Sequence, residues 1–168
     1  MVQANETKRQ QALHYLETLT TDQDAHLDKI TAKARHLFGT SIAAVTLIRS
    51  DAQMVKSASG MTPAVLPRNE SFCDTTIRRT GHFVIEDASL DSRYADFSVV
   101  TGPPHVRFYA GYPIEAPDGQ RVGALCVMDT APRHFTAQDA TALRNLALSV
   151  QQHLYQEAPD AHTAPKRD

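Results

Sequence analysis

Cys73 and Cys126 are the two thiols of this 168-residue chain and its strongest intrinsic nucleophiles. They are too far apart in sequence to form a CxxC pair, and a reducing compartment keeps both as thiols. Cys73 falls in the first turn of a short helix, where backbone N–H groups favour a thiolate, while Asp74 beside it opposes that shift. Cys126 alternates with Ala124 and Met128 and reads as a buried strand thiol. The eight histidines show no HxxxH or HExxH spacing, which argues against a built-in zinc site. Nothing resembles a Ser-His-Asp order, a P-loop, or a carboxylate pair with an obvious substrate groove. Arg107 is the remaining candidate: it could clamp a carboxylate or phosphate, or pair with Asp87, Asp91 or Asp96 and tie a loop to a sheet. The density of acids in that loop favours the tie.

These residues need a scaffold, and composition bounds it. The length suits one domain with a real core. A formal net charge of -2 leaves no basic surface for nucleic acid or anionic lipid. No apolar run approaches the ~20 residues of a membrane helix, and MVQANETKRQQ has no apolar segment to serve as a signal. The expectation is a cytoplasmic protein.

Along the chain, a helix is predicted over about 8–19, with Leu13, Leu16 and Leu19 three apart. A second begins near Thr21-Asp22 and carries Leu27, Ile30, Ala34 and Leu37, with Gly39 as C-cap. SIAAVTLI (41–48) is apolar on both faces, as a central strand covered on each side would be, and AQMVKSAS is its weaker hairpin partner. Residues 60–69, with Pro63 and Pro67, read as loop. Ser71 and Asp74 make a capping box for a short helix through Ile77 to Gly81, and HFVIED is a short strand. Residues 88–104 lack periodicity and read as a functional loop or lid. RFYAGYPIEAPDGQRVGALCVMDTAPR then forms a hairpin about Pro117-Asp118-Gly119, with Asp129 to Arg133 capping its exit. Pro113 marks an edge or a bulge, and Gly123 permits close packing. Arg107, Tyr109 and Gly111 share one strand face, and Phe108, Ala110 and Tyr112 the other. Phe135, Thr136 and Asp139 staple and cap a long helix whose Leu143, Ala147, Val150 and Leu154 form one stripe. The result is an α+β layer fold with an antiparallel sheet and helices on it.

RFYAGYPI, the PDG turn, VGALCVMDTAPR and the capped helix, preceded by SFCDTTI, FVIEDASLDSRY and VVTGPPHVRFYAG, resemble the GAF domain family. The kinship is with sensor modules of bacterial histidine kinases and diguanylate cyclases, over residues 22–155. The resemblance implies a GAF-like central antiparallel sheet of five or six strands, terminal helices on one face and a loop-roofed pocket on the other. It places ligand contacts at Phe72, Cys73 and Thr76 in the short helix. Asp87, Arg93, Tyr94 and Phe97 would contribute from the loop, and Arg107, Tyr109 and Cys126 from the hairpin. The implied domains are a helical extension (1–21), the sensory domain (22–156) and a disordered tail (157–168).

A covalent bilin would need a histidine after the lid-helix cysteine, and Asp74 stands there. Haem on His82 or His105 is disfavoured, since a lone loop histidine is more often solvated. The Asn-Lys-Phe-Asp signature of cyclic-nucleotide GAF domains is missing. The expected function is a non-catalytic sensory module that binds an unidentified small-molecule effector and signals through its terminal helices. With no kinase or cyclase sequence attached, output would pass to a signalling partner or through dimer geometry, unless the chain is an excised domain. The alternatives are a thiol enzyme like the free methionine-R-sulfoxide reductases, although their cysteine pattern is not found, and a ligand-free dimerisation scaffold. The family's helix pairing, with Leu13, Leu16 and Leu19 lacking a core role and Leu148 and Tyr155 on a free face, predicts a parallel homodimer through about 8–38 and 137–156.

Overall fold

The computed structural model describes residues 2–20 and 23–156. The expected N-cap at Thr21-Asp22 and the expected tail lie outside the described residues. Helix α1 spans Val2–Leu19 and α2 Ala25–Phe38; strand β1 is Ile42–Ile48, β2 Ala52–Ser59 and β3 Leu66–Pro67. A 3₁₀ turn, Arg68–Glu70, leads into α3 (Phe72–Thr76), and β4 is Phe83–Ile85. Then come a 3₁₀ turn at Ala88–Leu90, α4 (Ser98–Thr101), β5 (Phe108–Glu115), β6 (Arg121–Asp129) and α5 (Ala137–Gln156).

The six strands form one sheet in the order β3-β2-β1-β6-β5-β4, and every neighbouring pair is antiparallel. All seven residues of β1 are buried, as a central strand covered on both faces requires. Alternate residues of β1, β5 and β6 feed two cores. Ala43, Val45, Leu47, Phe108, Ala110, Leu125 and Val127 pack under α1, α2 and α5. Ala44, Ile48, Tyr109, Ala124 and Cys126 face the opposite layer, built from α3, α4 and the loops. Between Val45 and Thr46 the β1–β2 register shifts, leaving Lys56 as the extra residue. Ser57 therefore turns to the helix layer, where it bonds Asp28 (2.6 Å) and Thr31 (3.1 Å) of α2.

Local chemistry explains the boundaries. Asp24, two residues beyond the expected cap, accepts the Leu27 N–H at 3.1 Å, and Gly39 closes α2 in the left-handed region at φ 63°. Thr136 and Asp139 exchange the two 3.0 Å bonds of a capping box at the start of α5. The tip of the β5–β6 hairpin is closed by Gly119 N–H to the Ala116 carbonyl and by Gln120 N–H to the Asp118 carboxylate. Pro113 lies past the last β4 pair, at Gly111, and one residue before a register shift at Ile114–Glu115. A Cβ at Gly123 would run into the Thr46 carbonyl of β1, so this close strand approach needs glycine. Arg133 binds Asp129 (3.1 Å) and donates to the Phe38 carbonyl (2.6 Å) at the end of α2, so the hairpin exit is a structural clasp.

Three expectations change. Leu13 and Leu16 are fully buried in the chain's own helix-side core, because α1 folds back on the same subunit. Leu37 points outward at 55% exposure, since the apolar stripe of α2 ends at Ala34. Residues 66–70 also contribute a short edge strand and a 3₁₀ turn to the segment expected as loop. Among the described residues no helix is long and apolar enough to cross a membrane.

Candidate functional site

A cavity of about 420 Å³ lies between the sheet and the layer opposite the terminal helices. Its floor is Ile42, Ala44 and Thr46 of β1, Gln53 and Val55 of β2, Tyr109 of β5, and Cys126 and Met128 of β6. Its walls and roof come from the 61–66 segment, Glu70, Phe72 and Cys73, then Ser98 and Val99 of α4, and Pro103, Pro104 and Val106. The volume falls within the ~300–1,000 Å³ of small-molecule sites. Among the described residues no Lys, Arg or His lines it, and Glu70 is the one charged residue. Glu70 accepts the Ser98 N–H at 2.8 Å, which latches the start of α4 to the turn before α3. That bond holds the Glu70 carboxyl below its ordinary value.

The expected ligand contacts sort into three positions. Phe72, Cys73, Tyr109 and Cys126 line the cavity. Thr76, Tyr94 and Phe97 stand one layer behind and brace them. Phe97 stacks on Phe72 (5.4 Å), Tyr94 meets Phe72 edge-on (5.6 Å), and Thr76 bonds the Tyr109 hydroxyl (2.7 Å). Asp87, Arg93 and Arg107 lie off the lining. Asp87 caps the 88–90 turn through Ser89 (3.0 Å), and exposed Arg93 pairs with Asp91 (2.8 Å). Arg107 does tie the loop to the sheet, but through the carbonyls of Val100 (3.1 Å) and Val106 (3.0 Å) rather than through a carboxylate.

Cys73 and Cys126, far apart in sequence, come together in the cavity lining, both buried. The Tyr109 hydroxyl donates to Cys73 Sγ at 3.1 Å. Burial pushes Cys73 up, but donors from Cys126, Thr46 and Tyr109 outweigh it and hold this thiol below its ordinary value. Donating to Cys73, together with burial, drives Cys126 well above the ordinary thiol value. Burial and the two neighbouring sulfurs push Tyr109 up in the same way. The arrangement is a dithiol with one polarised member. Among the described residues no group of three His, Cys, Asp or Glu side chains could hold a metal ion.

Gln53 and Thr46 escaped sequence reasoning because both sit in strands whose facing residues depend on register. The one local signal was a glutamine beside Met54 in an otherwise half-buried strand.

The GAF domain family model matches residues 22–154. The chain belongs to the GAF domain family. A cyclic di-GMP phosphodiesterase of Pseudomonas aeruginosa is 34% identical over 152 residues, 90% of this chain but 26% of that protein. The chain thus spans about a quarter of the curated relative it matches. Among solved structures, the blue-light absorbing form of the Thermosynechococcus elongatus PixJ GAF domain superposes with a TM-score of 0.64 at 15% identity, covering 98% of each chain. Free methionine-R-sulfoxide reductase from Neisseria meningitidis, in complex with its substrate, gives 0.65 at 20% identity, covering 93% of each. At these identities the structural likeness establishes a shared GAF fold.

Proposed function

We propose that this chain is a sensory GAF module of bacterial signal transduction, acting as a binding domain and not as a catalyst. A small molecule occupies the cavity, and its occupancy is passed to the terminal helices. The observation that carries this reading is Arg68. It sits in the turn that leads into α3, reaches Asp74 of α3 at 2.8 Å, and reaches Glu6 of α1 at 2.8 Å. A ligand that resets the roof therefore changes the partners of a terminal helix, and differential binding to two roof positions biases that helix. In a longer protein such as the cyclic di-GMP phosphodiesterase, a module of this kind would regulate turnover elsewhere in the chain. Pairing of two copies through α1 and α5 belongs to the same reading. Among the described residues, Tyr15 and Leu148 are the large apolar side chains those helices expose.

Native mass spectrometry of freshly purified protein tests it, followed by hydrogen exchange with and without the co-purifying molecule. The expected result is a bound small molecule whose removal speeds exchange in both the 88–104 loop and α1, with the α1 effect lost in Arg68→Ala. A bound molecule whose removal leaves α1 unchanged overturns the transmission.

The Cys73–Cys126 contact favours one second reading, thiol-dependent reduction of a small sulfoxide. The sulfoxide oxygen would leave as water while both thiols are oxidised to a disulfide, which an external thiol reductant then resets. Turnover of free methionine sulfoxide that vanishes in Cys73→Ser and Cys126→Ser would establish it; no turnover would exclude it.

A further inference from the structure

We infer that the cavity selects a neutral, largely apolar ligand that presents a carbonyl oxygen to the side-chain amide of Gln53. This rests on the sensory reading and names its ligand class. Gln53 is 8% exposed and lines the cavity floor. Its orientation follows from its neighbour. Ser71 Oγ accepts the Asp74 N–H at 3.1 Å as the cap of α3, and its own proton goes to Gln53 Oε1 at 2.5 Å. The amide oxygen is thereby engaged, and the NH₂ group faces the cavity with no hydrogen-bond partner among the described residues. Inside a mostly apolar cavity this amide donor has few competing acceptors, and an acceptor brought by a ligand satisfies it.

The rest of the lining sets the remaining chemistry. Ile42, Val55, Leu66, Phe72, Val99 and Val106 offer apolar surface. With no Lys, Arg or His among the described lining residues, a carboxylate or phosphate would be desolvated without a counter-charge there. The Glu70 carboxylate at Ser98 adds repulsion. An acceptor held by Gln53 lies on the same floor as Tyr109 and beneath the α3 cap, so it also ties the ligand to Ser71 and to the roof.

Three probes of one size separate the terms: acetophenone, ethylbenzene and benzoate. Binding is read from the methyl resonances of ¹³C-labelled Met61 and Met128 in the cavity wall and from the Gln53 side-chain amide signal. Acetophenone should bind about tenfold more tightly than ethylbenzene, the worth of one buried hydrogen bond, and should move the Gln53 amide signal. Benzoate should bind more weakly than either. Gln53→Leu should equalise acetophenone and ethylbenzene without abolishing them. Gln53→Glu, which keeps an oxygen for Ser71, should weaken acetophenone specifically and guards against loss of the α3 cap. Equal binding of ketone and hydrocarbon, or tighter binding of benzoate, overturns the inference and leaves the sensory reading standing. No methyl shift with any of the three overturns both.

Discussion

Tyr109 joins the floor of the cavity to its wall through a single phenol oxygen. With its proton on Cys73, the oxygen accepts from Thr76 across the sheet–helix boundary. Tyr109→Phe removes both bonds and leaves Thr76 and Cys73 each short of a buried partner. It should cost about 1–2 kcal/mol by urea denaturation. The same substitution takes one donor from Cys73, so its thiolate fraction falls. Alkylation of Cys73 by iodoacetamide at neutral pH should slow, measured by intact mass, and an unchanged rate would show that the phenol does not polarise the thiol. Arg133 shows the opposite case, a charged residue whose work is structural. Its guanidinium holds the last carbonyl of α2 and the end of β6 and lies 5.7 Å from the Phe108 ring. Arg133→Met keeps an apolar stem but loses the charge-assisted bonds and the guanidinium over Phe108. It should lower stability by about 1–3 kcal/mol with the cavity's binding intact.

Helix α1 is part of the core and not merely an extension of it. Leu16 is fully buried while Leu148 of α5 is 40% exposed, and substitution should separate them. Leu16→Ala should cost about 2–5 kcal/mol, whereas Leu148→Ala should stay within ~0.5 kcal/mol for the isolated subunit. In sedimentation the unaltered chain should run as a dimer at tens of micromolar. Leu148→Glu should split that dimer without loss of fold, and Leu16→Glu should unfold it; a monomeric unaltered chain ends the pairing. On the other face, α4 has four residues and is held at its start by Glu70. Glu70→Ala should speed amide exchange over 97–102 while β1 and β6 stay protected. If exchange there is unaltered, Glu70 is not the latch.

Across the whole molecule, buried and bridging carboxylates hold the layers together. Asp24 caps α2 and lies 2.9 Å from His153 of α5. Burial raises its value, but the Leu27 N–H, His153 and Lys56 together hold it below the ordinary aspartate value. Burial raises the Glu6 carboxyl most, but Arg9, Arg68 and Gln10 together outweigh it and hold the group far below the carboxylate range. Groups depressed on folding contribute stability that is fully present above their unfolded values of about 4 and is lost as pH falls through their folded values. The thermal midpoint should therefore drop as pH is lowered from about 5 to about 2. Asp24→Asn should be less stable at neutral pH and show a shallower fall. An unchanged slope in that variant would remove Asp24 from the account.

The sequence alone carried what depends on neighbours along the chain. Helical spacing placed Leu143, Ala147, Val150 and Leu154 in one stripe. Two-sided apolarity made 41–48 a central strand, observed as Ile42–Ile48, and the Thr136–Asp139 box and the Pro117-Asp118-Gly119 turn set their own geometry. The ordered motifs were enough to point to a GAF domain, and the family match agrees. The site was only partly legible. Phe72 and Tyr109 could be placed among its lining residues, but Arg107's carbonyl partners, the burial of Leu13 and Leu16, and the place of Gln53 in the floor could not. Each of these depends on a pairing between distant segments. The bulge at Lys56 decides which residues of β2 face the cavity, and the β1–β6 register sets Cys126 opposite Ala44, with Cys73 reaching it from α3. A strand alternates with period two whatever lies beside it, so a shift of one residue exchanges core for cavity, and only the assembled sheet decides which.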